Sequence, residues 1–247
     1  MSNEVKCMEM KDEQKSKLNK FANIAIIIGL VLMAIPAGLW LNEEYYQWSQ
    51  GKKWQSLVSL YSDDSVRALR VSGSKQGGGS GAGSGEDSRT SGTNTLAWSP
   101  ELVDTGTIEP GTSIAFIEIP KLNLRLTVTE GVDWASLAKG PGHAPKTARI
   151  GDKGTTLISG HRTMYGAPFH DLHKLELGDN VMLYTKKAMF VYTVEGIKRV
   201  YPTDWSDIKP GDTSRLVLST CEPIFSAEKR LLIILKSTSA SRHSVNR

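Results

Sequence analysis

The sequence predicts a mainly β domain that closes into a barrel, and three observations lead to this prediction. After Thr95 the chain changes to short apolar runs that are separated by Gly, Pro, Asp and Asn. These runs are rich in β-branched residues, as strands bounded by turns are. Only residues 133–140 and 168–175 favour short helices. Many strands in about 150 residues favour a closed or nearly closed barrel, because closure removes exposed strand edges.

Seven runs are predicted as strands, and they show no internal repeat. They are SIAFIEIP, LRLTVTEG, TTLISGH, NVMLYTK, MFVYTVEGIKRVY, RLVLST and RLLIILK, which begin at residues 113, 124, 155, 180, 189, 215 and 230. We place the domain that they form at residues 95–240, with a polar tail at 241–247.

An apolar segment at residues 21–41 precedes this domain. The segment, FANIAIIIGLVLMAIPAGLWL, has no charged residue and is long enough to cross a bilayer as a helix of about 20 residues. Its length favours an uncleaved anchor, because a signal peptide has a shorter apolar region of about 7–15 residues. Five lysines precede the segment and two follow it closely, which predicts a cytoplasmic amino terminus at 1–20 and an extracellular domain. We therefore expect a single-pass protein of the cell membrane.

Two segments connect the predicted anchor to the domain. Residues 42–71 mix aromatic, aliphatic and charged side chains with loosely helical spacing, which predicts a juxtamembrane stalk. Residues 72–94 are rich in Gly and Ser and have almost no apolar side chains to bury, which predicts a flexible linker.

Charge and cysteine content narrow the classes of function. The formal net charge is +4, with Lys and Arg scattered among Asp and Glu, so we expect no nucleic-acid partner. Cys7 and Cys221 are predicted on opposite sides of the membrane, so Cys221 should be a free thiol. His170 and His173 share a predicted helix face but lack a third ligand at useful spacing. We therefore expect neither a metal nor a cofactor.

Three polar residues, His161, Cys221 and Arg230, stand at the ends of predicted strands, where a rigid scaffold can hold them around one pocket. Taken singly, each also fits a structural role: a buried thiol, a hydrogen-bonded imidazole or a solvated charge. Together they suffice for acyl transfer without a metal. A cationic neighbour lowers the pKa of a thiol, His protonates a leaving nitrogen, and Arg stabilises an oxyanion.

The segments TTLISGHRTMYGAPFHDLHKLELGDNVMLY and LVLSTCEPIFSAEKRLLI, together with GPGHAPKTA at 140–148, resemble the sortases. Sortases are membrane-anchored cysteine transpeptidases that attach proteins to the cell wall of Gram-positive bacteria. The resemblance covers most of the chain after Thr95, in the family's order of His, then Thr-Cys, then Arg. It implies a sortase-type β-barrel in which Cys221 attacks the Thr–Gly carbonyl of an LPxTG-like sorting signal and forms a thioacyl-enzyme.

The resemblance also implies roles and partners. His161 would protonate the departing amine and then assist the incoming one, while Arg230 would position the signal and stabilise the oxyanion. Thr220 would contribute to substrate recognition or to the oxyanion site through its hydroxyl or its backbone amide. The implied partners are surface proteins that carry sorting signals, the amine of a lipid II-type peptidoglycan precursor, and the membrane.

The subclass follows from finer features of the same segments. GHRTMYGAPFHDL and the spacing of nine residues from Cys221 to Arg230 look most like the class E sortases of high-GC Gram-positive bacteria, which are associated with LAxTG-type signals. A pilin-polymerising sortase is an alternative, although such enzymes usually carry an Asp-Pro-aromatic lid and a second span. Glu222 departs from the expected pattern, in which Thr and then His flank the cysteine.

Two further residues are candidates for substrate binding. Tyr165 lies four residues after His161 in a loop that contains glycine, and we expect it to line the substrate groove and donate a hydrogen bond to the signal. His143, in GPGHAP, is either a pocket residue or a structural histidine of a turn.

Two other classes of function remain open at this point. One is a papain-like Cys/His peptidoglycan hydrolase, although such enzymes place Cys at a helix start and before His in the sequence. The other is an anchored binding module in which Cys221 only packs.

Overall fold

A computed structural model describes residues 20–21, 23–24, 26–34, 38, 41, 44–55, 58, 106 and 108–242. The chain divides into two units, Met1–Asn42 and Glu43–Arg247. The described residues of the first unit are helical.

Within the described part of the chain, no helix is both long and apolar enough to cross a membrane. The predicted linker at 72–94 lies outside the described residues altogether. The predicted amino terminus, span, stalk and polar tail lie partly outside them.

Eight strands in the described part of the chain form a closed barrel, which confirms the predicted fold class. They are β1 (Ser113–Ile119), β2 (Leu124–Glu130), β3 (Gly142–His143), β4 (Gly154–Ser159), β5 (Asn180–Tyr184), β6 (Ala188–Val200), β7 (Ser214–Glu222) and β8 (Lys229–Arg242). Their order around the barrel is β1-β2-β3-β4-β7-β8-β6-β5. The β2–β3 and β4–β7 pairs are parallel and the other pairs are antiparallel.

All seven predicted strands are present, and each predicted helical segment contains a short helix. An α-helix spans Trp134–Leu137, and a 3-10 helix spans Leu172–Lys174. The carboxylate of Asp133 caps the α-helix by accepting the backbone N–H of Ser136 at 3.1 Å. A further 3-10 turn at Pro120–Leu122 and strand β3 were not predicted, because segments of two or three residues carry no periodicity.

Side chains of β7 and β8 alternate between the barrel interior and its outer face, as the period of two in a strand requires. The interior cluster includes Leu216, Leu218, Leu231, Ile233 and Leu235. A separate cluster on the outer face contains Ala144, Leu157, Val217, Leu232 and Ile234, with Val200 and Ile208 packed against it. The sheet wall between β4 and β8 is therefore apolar on both faces.

The helix at 44–55 packs on another part of the outer face. Trp54 is buried there in a cluster with Phe116, Met182, Tyr184, Met189 and Val191. The side-chain amide of Gln47 accepts the backbone N–H of Thr127 at 2.9 Å and donates to its carbonyl at 3.3 Å. Strand β3 pairs with β2 only at Thr129 and Glu130. The amide of Gln47 therefore pairs the backbone N–H and C=O of Thr127, on the part of the β2 edge that β3 does not cover.

Candidate active site

Strand register brings His161, Cys221 and Arg230 to one end of three adjacent strands. Ser159 of β4 pairs with Ser219 of β7, so His161 and Cys221 each lie two residues beyond that pair. Cys221 and Arg230 are direct partners across β7 and β8. Paired residues of antiparallel strands have Cα atoms about 4.5–5.5 Å apart and side chains on the same face.

The site faces outward and not into the barrel. Val217 lies on the outer face, so Cys221, four residues later in the same strand, also points outward. Leu232 and Ile234 lie on the outer face of β8, so Arg230, two residues before Leu232 in the same strand, also points outward. The outer cluster is buried on this same face of the sheet, and Ile208 of the β6–β7 connection packs against it.

The thiol of Cys221 is free and partly exposed. The guanidinium of Arg230 donates from Nη1 to the carbonyls of Ala227 and Lys229, at 3.0 Å each. These bonds hold Arg230 against the β7–β8 connection, at the edge of the same outer face.

His161 is half-buried, and burial lowers the pKa of its imidazole below the ordinary value. Its Nε2 atom is buried and has no hydrogen-bond partner among the described residues. Buried polar atoms are almost always paired, so this nitrogen calls for a partner such as water or a bound substrate.

Trp134 and Tyr165 enclose the imidazole of His161. The ring centroids of His161 and Tyr165 are 5.3 Å apart, those of His161 and Trp134 are 6.1 Å apart, and the two aromatic rings meet edge to face at 5.2 Å. The structure therefore places Tyr165 beside His161, in the region where the sequence predicts the substrate groove. Trp134 was missed, because no local pattern connects a residue after β2 with a residue after β4.

Thr220 lies on the inner face, opposite to Cys221. It is 2% exposed, and its hydroxyl donates to the carbonyl of Gly160 at 2.8 Å. This bond fastens the end of β4 to β7. The hydroxyl of Thr220 is therefore engaged within the protein, and its backbone lies in the ladder between β7 and β8, opposite Leu231.

His143 lies in β3 with both ring nitrogens bonded to the protein. Nδ1 is 2.9 Å from the carboxylate of Glu130, and Nε2 is 3.0 Å from the carbonyl of Ala148. The imidazole is 2% exposed, and Glu130 is 7% exposed. This geometry favours the structural role for His143 over the pocket role that the sequence also allowed.

Glu222, where the sequence departs from the expected pattern, lies between two arginines. Its carboxylate accepts from the buried guanidinium of Arg162 and, at 3.2 Å, from Nε of Arg199. Burial opposes ionisation of Glu222, but the bonds from Arg162 and Arg199 outweigh it and hold the pKa of this carboxyl below its ordinary value.

No group of three or more His, Cys, Asp or Glu side chains suited to a metal ion occurs within the described ranges. The imidazole of His170 instead pairs with the neighbouring Asp171, at 2.8 Å on the surface.

Comparison with known proteins agrees with this architecture. A family model described as the Sortase domain matches residues 117–238. Sortase SrtE1 of Streptomyces coelicolor is 30% identical over 155 residues, which cover 55% of this chain and 43% of that protein. Sortase D of Bacillus subtilis is 33% identical over 129 residues, which cover 51% and 64%. The chain thus spans less than two thirds of the length of either of these relatives.

Solved structures show the same barrel. Sortase E from Streptomyces avermitilis is 33% identical with a TM-score of 0.51, and the match covers 56% of this chain and 96% of that one. Sortase E1 from Streptomyces coelicolor, with a tripeptide in its active site, is 28% identical with a TM-score of 0.52, and the match covers 57% and 97%. The chain belongs to the sortase family, a family of cysteine transpeptidases, and shows similarity to its class E members.

Proposed function

We propose that the chain is a membrane-anchored transpeptidase that cleaves an LPxTG- or LAxTG-type sorting signal between Thr and Gly. It then joins the signal-bearing protein to an amine of a lipid II-type peptidoglycan precursor. The observation that supports the proposal is the register of β4, β7 and β8, which pairs Cys221 with Arg230 and brings the end of β4, just before His161, beside β7.

In the first half-reaction, Cys221 passes its thiol proton to His161, and its sulfur attacks the carbonyl carbon of the Thr–Gly bond. Arg230 donates hydrogen bonds to the oxyanion of the tetrahedral intermediate, where fixed donors lower the barrier most. The C–N bond then breaks as His161 gives a proton to the glycine nitrogen. The products are a thioester on Cys221 and a free glycine amine.

The second half-reaction reverses these roles. The incoming amine attacks the thioester carbonyl and loses a proton to His161, and the C–S bond breaks to regenerate the thiolate. Burial lowers the pKa of His161, so its ring favours the neutral form that accepts this proton. If the thiolate and imidazolium are a minority pair at neutral pH, turnover should rise and fall with two apparent pKa values that belong to the pair. A single rising limb would contradict this picture.

The cluster of Leu157, Val217, Leu232 and Ile234 is at most 7% exposed, so it supports the strand ends near Cys221 and offers a sorting signal no open surface. We propose that Tyr165, whose ring centroid lies 5.3 Å from that of His161, donates a hydrogen bond to the signal backbone. Equal peptide kinetics in a Tyr165→Phe variant would remove that role.

The apolar segment at 21–41 and the lysines before it support membrane anchoring with the barrel outside the cell. Protease treatment of intact cells that express the chain tests this topology. We expect digestion of the barrel and protection of an epitope at the amino terminus. Protection of both parts would contradict it.

The deciding experiment for the reaction incubates the full chain, purified in detergent, with LAxTG or LPxTG peptides and hydroxylamine. We expect the threonine hydroxamate and a free glycine-containing fragment, with none formed by Cys221→Ala. The similarity to class E sortases favours the LAxTG peptide. No product with either peptide from folded, reduced protein would count against the proposal.

Two of the three remaining alternatives give a different result in the same assay. A peptidoglycan hydrolase would form only the water product in the presence of excess amine. A pilin-polymerising sortase would also form the hydroxamate, so a panel of different amine acceptors is needed to separate it from the proposed function. A binding module would give no product, and its Cys221 would be inert to thiol reagents.

A further inference from the structure

Arg162 follows His161 directly and is 4% exposed, although arginine is rarely buried without a specific partner. Its Nη1 donates to the backbone carbonyl of Cys221 at 2.9 Å and to the carboxylate of Glu222. Its Nε is buried and has no hydrogen-bond partner among the described residues. The buried guanidinium of Arg162, which directly follows His161, thus binds both the backbone of Cys221 and the side chain of Glu222.

The hydrogen bonding at the point where β4 separates from β7 explains this connection. The last rung of their parallel ladder joins the N–H of Gly160 to the carbonyl of Ser219 at 3.0 Å. In a regular ladder the next rung, two residues on, would join the N–H of residue 162 to the carbonyl of Cys221. The side chain of Arg162 takes that carbonyl instead.

Because a side chain supplies the donor in place of the backbone, the backbone at His161 need not stay in the β4–β7 ladder. The strand β4 ends at Ser159, so the chain can turn away from β7 while the carbonyl of Cys221 still has a donor. Thr220 fastens the same junction by donating its hydroxyl to the carbonyl of Gly160. Two side-chain hydrogen bonds therefore replace the backbone hydrogen bonds at the point where β4 separates from β7.

Glu222 is the counter-ion that makes the buried guanidinium tolerable. Its carboxylate accepts from Arg162 on one side and from Arg199 of β6 on the other. This pairing accounts for a glutamate at a position where the family resemblance predicts histidine.

We propose that Arg162, with Glu222 as its counter-ion, is a positioning residue that fixes the backbone of Cys221 and thereby sets its thiol against His161. The proposal rests on the proposed function, because it assigns Cys221 and His161 as the reacting pair. The guanidinium of Arg162 donates to a backbone carbonyl and to a carboxylate, so its effect is on geometry and local charge.

Replacement of Arg162 by Met tests the positioning role. The variant keeps an aliphatic chain but loses both hydrogen bonds. We expect kcat for hydroxamate formation to fall roughly 10- to 100-fold, because a misplacement of about 1 Å costs up to that order. KM should change little. Arg162→Lys keeps the charge but not the planar fork of donors, so it should recover only part of the rate.

A double variant separates positioning from charge balance. If only the charge of Glu222 mattered, adding Glu222→Met to Arg162→Met would restore kcat. We expect no restoration, because the carbonyl of Cys221 still lacks its donor. Arg215→Met is the matched control, because it breaks a different arginine–glutamate pair. Arg215 lies at the other end of β7 from Cys221, and its guanidinium is 2.6 Å from the carboxylate of Glu195. It should leave kcat unchanged.

A second readout does not depend on any sorting signal. The alkylation rate of Cys221 by iodoacetamide is measured against pH in the full chain, with mass spectrometry of the peptide that contains Cys221. The titratable and charged groups near Cys221 in the sheet are Arg230 opposite it on β8, Arg162 at its carbonyl, and Glu222 next to it. Glu222 is paired with Lys229 across the strands and bonded by Arg199, while His161, with Tyr165 against its ring, follows the end of the neighbouring β4. Glu222→Gln removes the anion and should move the alkylation midpoint to lower pH. Arg162→Met removes a cation and should move it to higher pH.

The outcomes are distinct. A folded Arg162→Met protein with unchanged kcat and an unchanged alkylation midpoint would overturn the proposal, and so would an equal loss of kcat in Arg215→Met. If Arg162→Met does not fold, Arg162→Lys and Glu222→Gln decide by the same two measurements. If the parent chain turns over no sorting peptide while the midpoints shift as stated, the proposed function fails and the positioning of Cys221 by Arg162 stands.

Discussion

Two histidines beside the same strand have opposite surroundings. His143 lies in β3 and pairs with Ile158 of β4, whereas His161 follows the end of β4. Both nitrogens of His143 are bonded to protein groups, while Nε2 of His161 is buried without a partner among the described residues. The difference teaches that burial alone does not identify a functional histidine. What distinguishes the two is whether the protein itself satisfies the ring.

The surroundings of the two histidines differ in the same way. Around His143 the polar groups of Glu130 and Ala148 form a closed network, which rigidifies the structure. Around His161 the neighbours are the aromatic rings of Trp134 and Tyr165, which desolvate the imidazole and offer it little hydrogen bonding. The first region should respond to mutation through stability and the second through activity.

The largest expected effect separates the two histidines by activity. We expect His161→Ala to lower kcat for hydroxamate formation by roughly 10²–10⁴-fold, the usual contribution of general acid–base catalysis. The melting temperature should change little. A folded His161→Ala protein with more than a tenth of the parent activity would break the comparison.

The second effect is on stability. We expect His143→Ala to lower the free energy of unfolding by about 1–3 kcal/mol, because it leaves the carboxyl of Glu130 buried without its hydrogen-bond partner. Urea unfolding followed by fluorescence measures the loss. The rate per folded molecule should stay near that of the parent chain. A loss of activity without a loss of stability would assign His143 to the site after all.

A smaller effect concerns the aromatic enclosure of His161. Trp134→Ala should let water reach the ring and raise the pKa of His161 towards its ordinary value, because burial is the cause of the depression. NMR titration of the His161 ring measures the shift. Loss of the ring contact should also cost about 0.5–1.5 kcal/mol of stability. Trp134→Phe is the control, since it keeps an aromatic ring and should shift the titration less.

The smallest effect is the pH dependence of stability. The pKa of His161 is lowered in the folded state, so the unfolded chain binds more protons between the folded pKa and the ordinary value of about 6.5. Stability should therefore decrease as pH falls through that window. Thermal melts of His161→Gln across the window should show a shallower decrease than the parent chain. An equal decrease would assign the pH dependence to other groups.

Much of the fold was predictable because strands carry their own local signals. The alternating and β-branched runs at 113, 155, 215 and 230 became β1, β4, β7 and β8. β3 was not predictable, because its two residues are a strand only through their pairing with β2 and β4. The last residues of β8 are polar, and their strand conformation follows from the long antiparallel ladder with β6.

The sequence by itself determined the chemistry of the candidate site, because a thiol, an imidazole and a guanidinium at strand ends, in the family's order, are local facts. Tertiary structure decided which neighbours those groups have. The register that pairs Ser159 with Ser219, 60 residues apart, puts Cys221 on the outer face and Thr220 on the inner one. The same register brings the guanidinium of Arg162 to the carbonyl of Cys221. The physical reason is that hydrogen bonds and burial depend on distance in space, which strand periodicity does not encode.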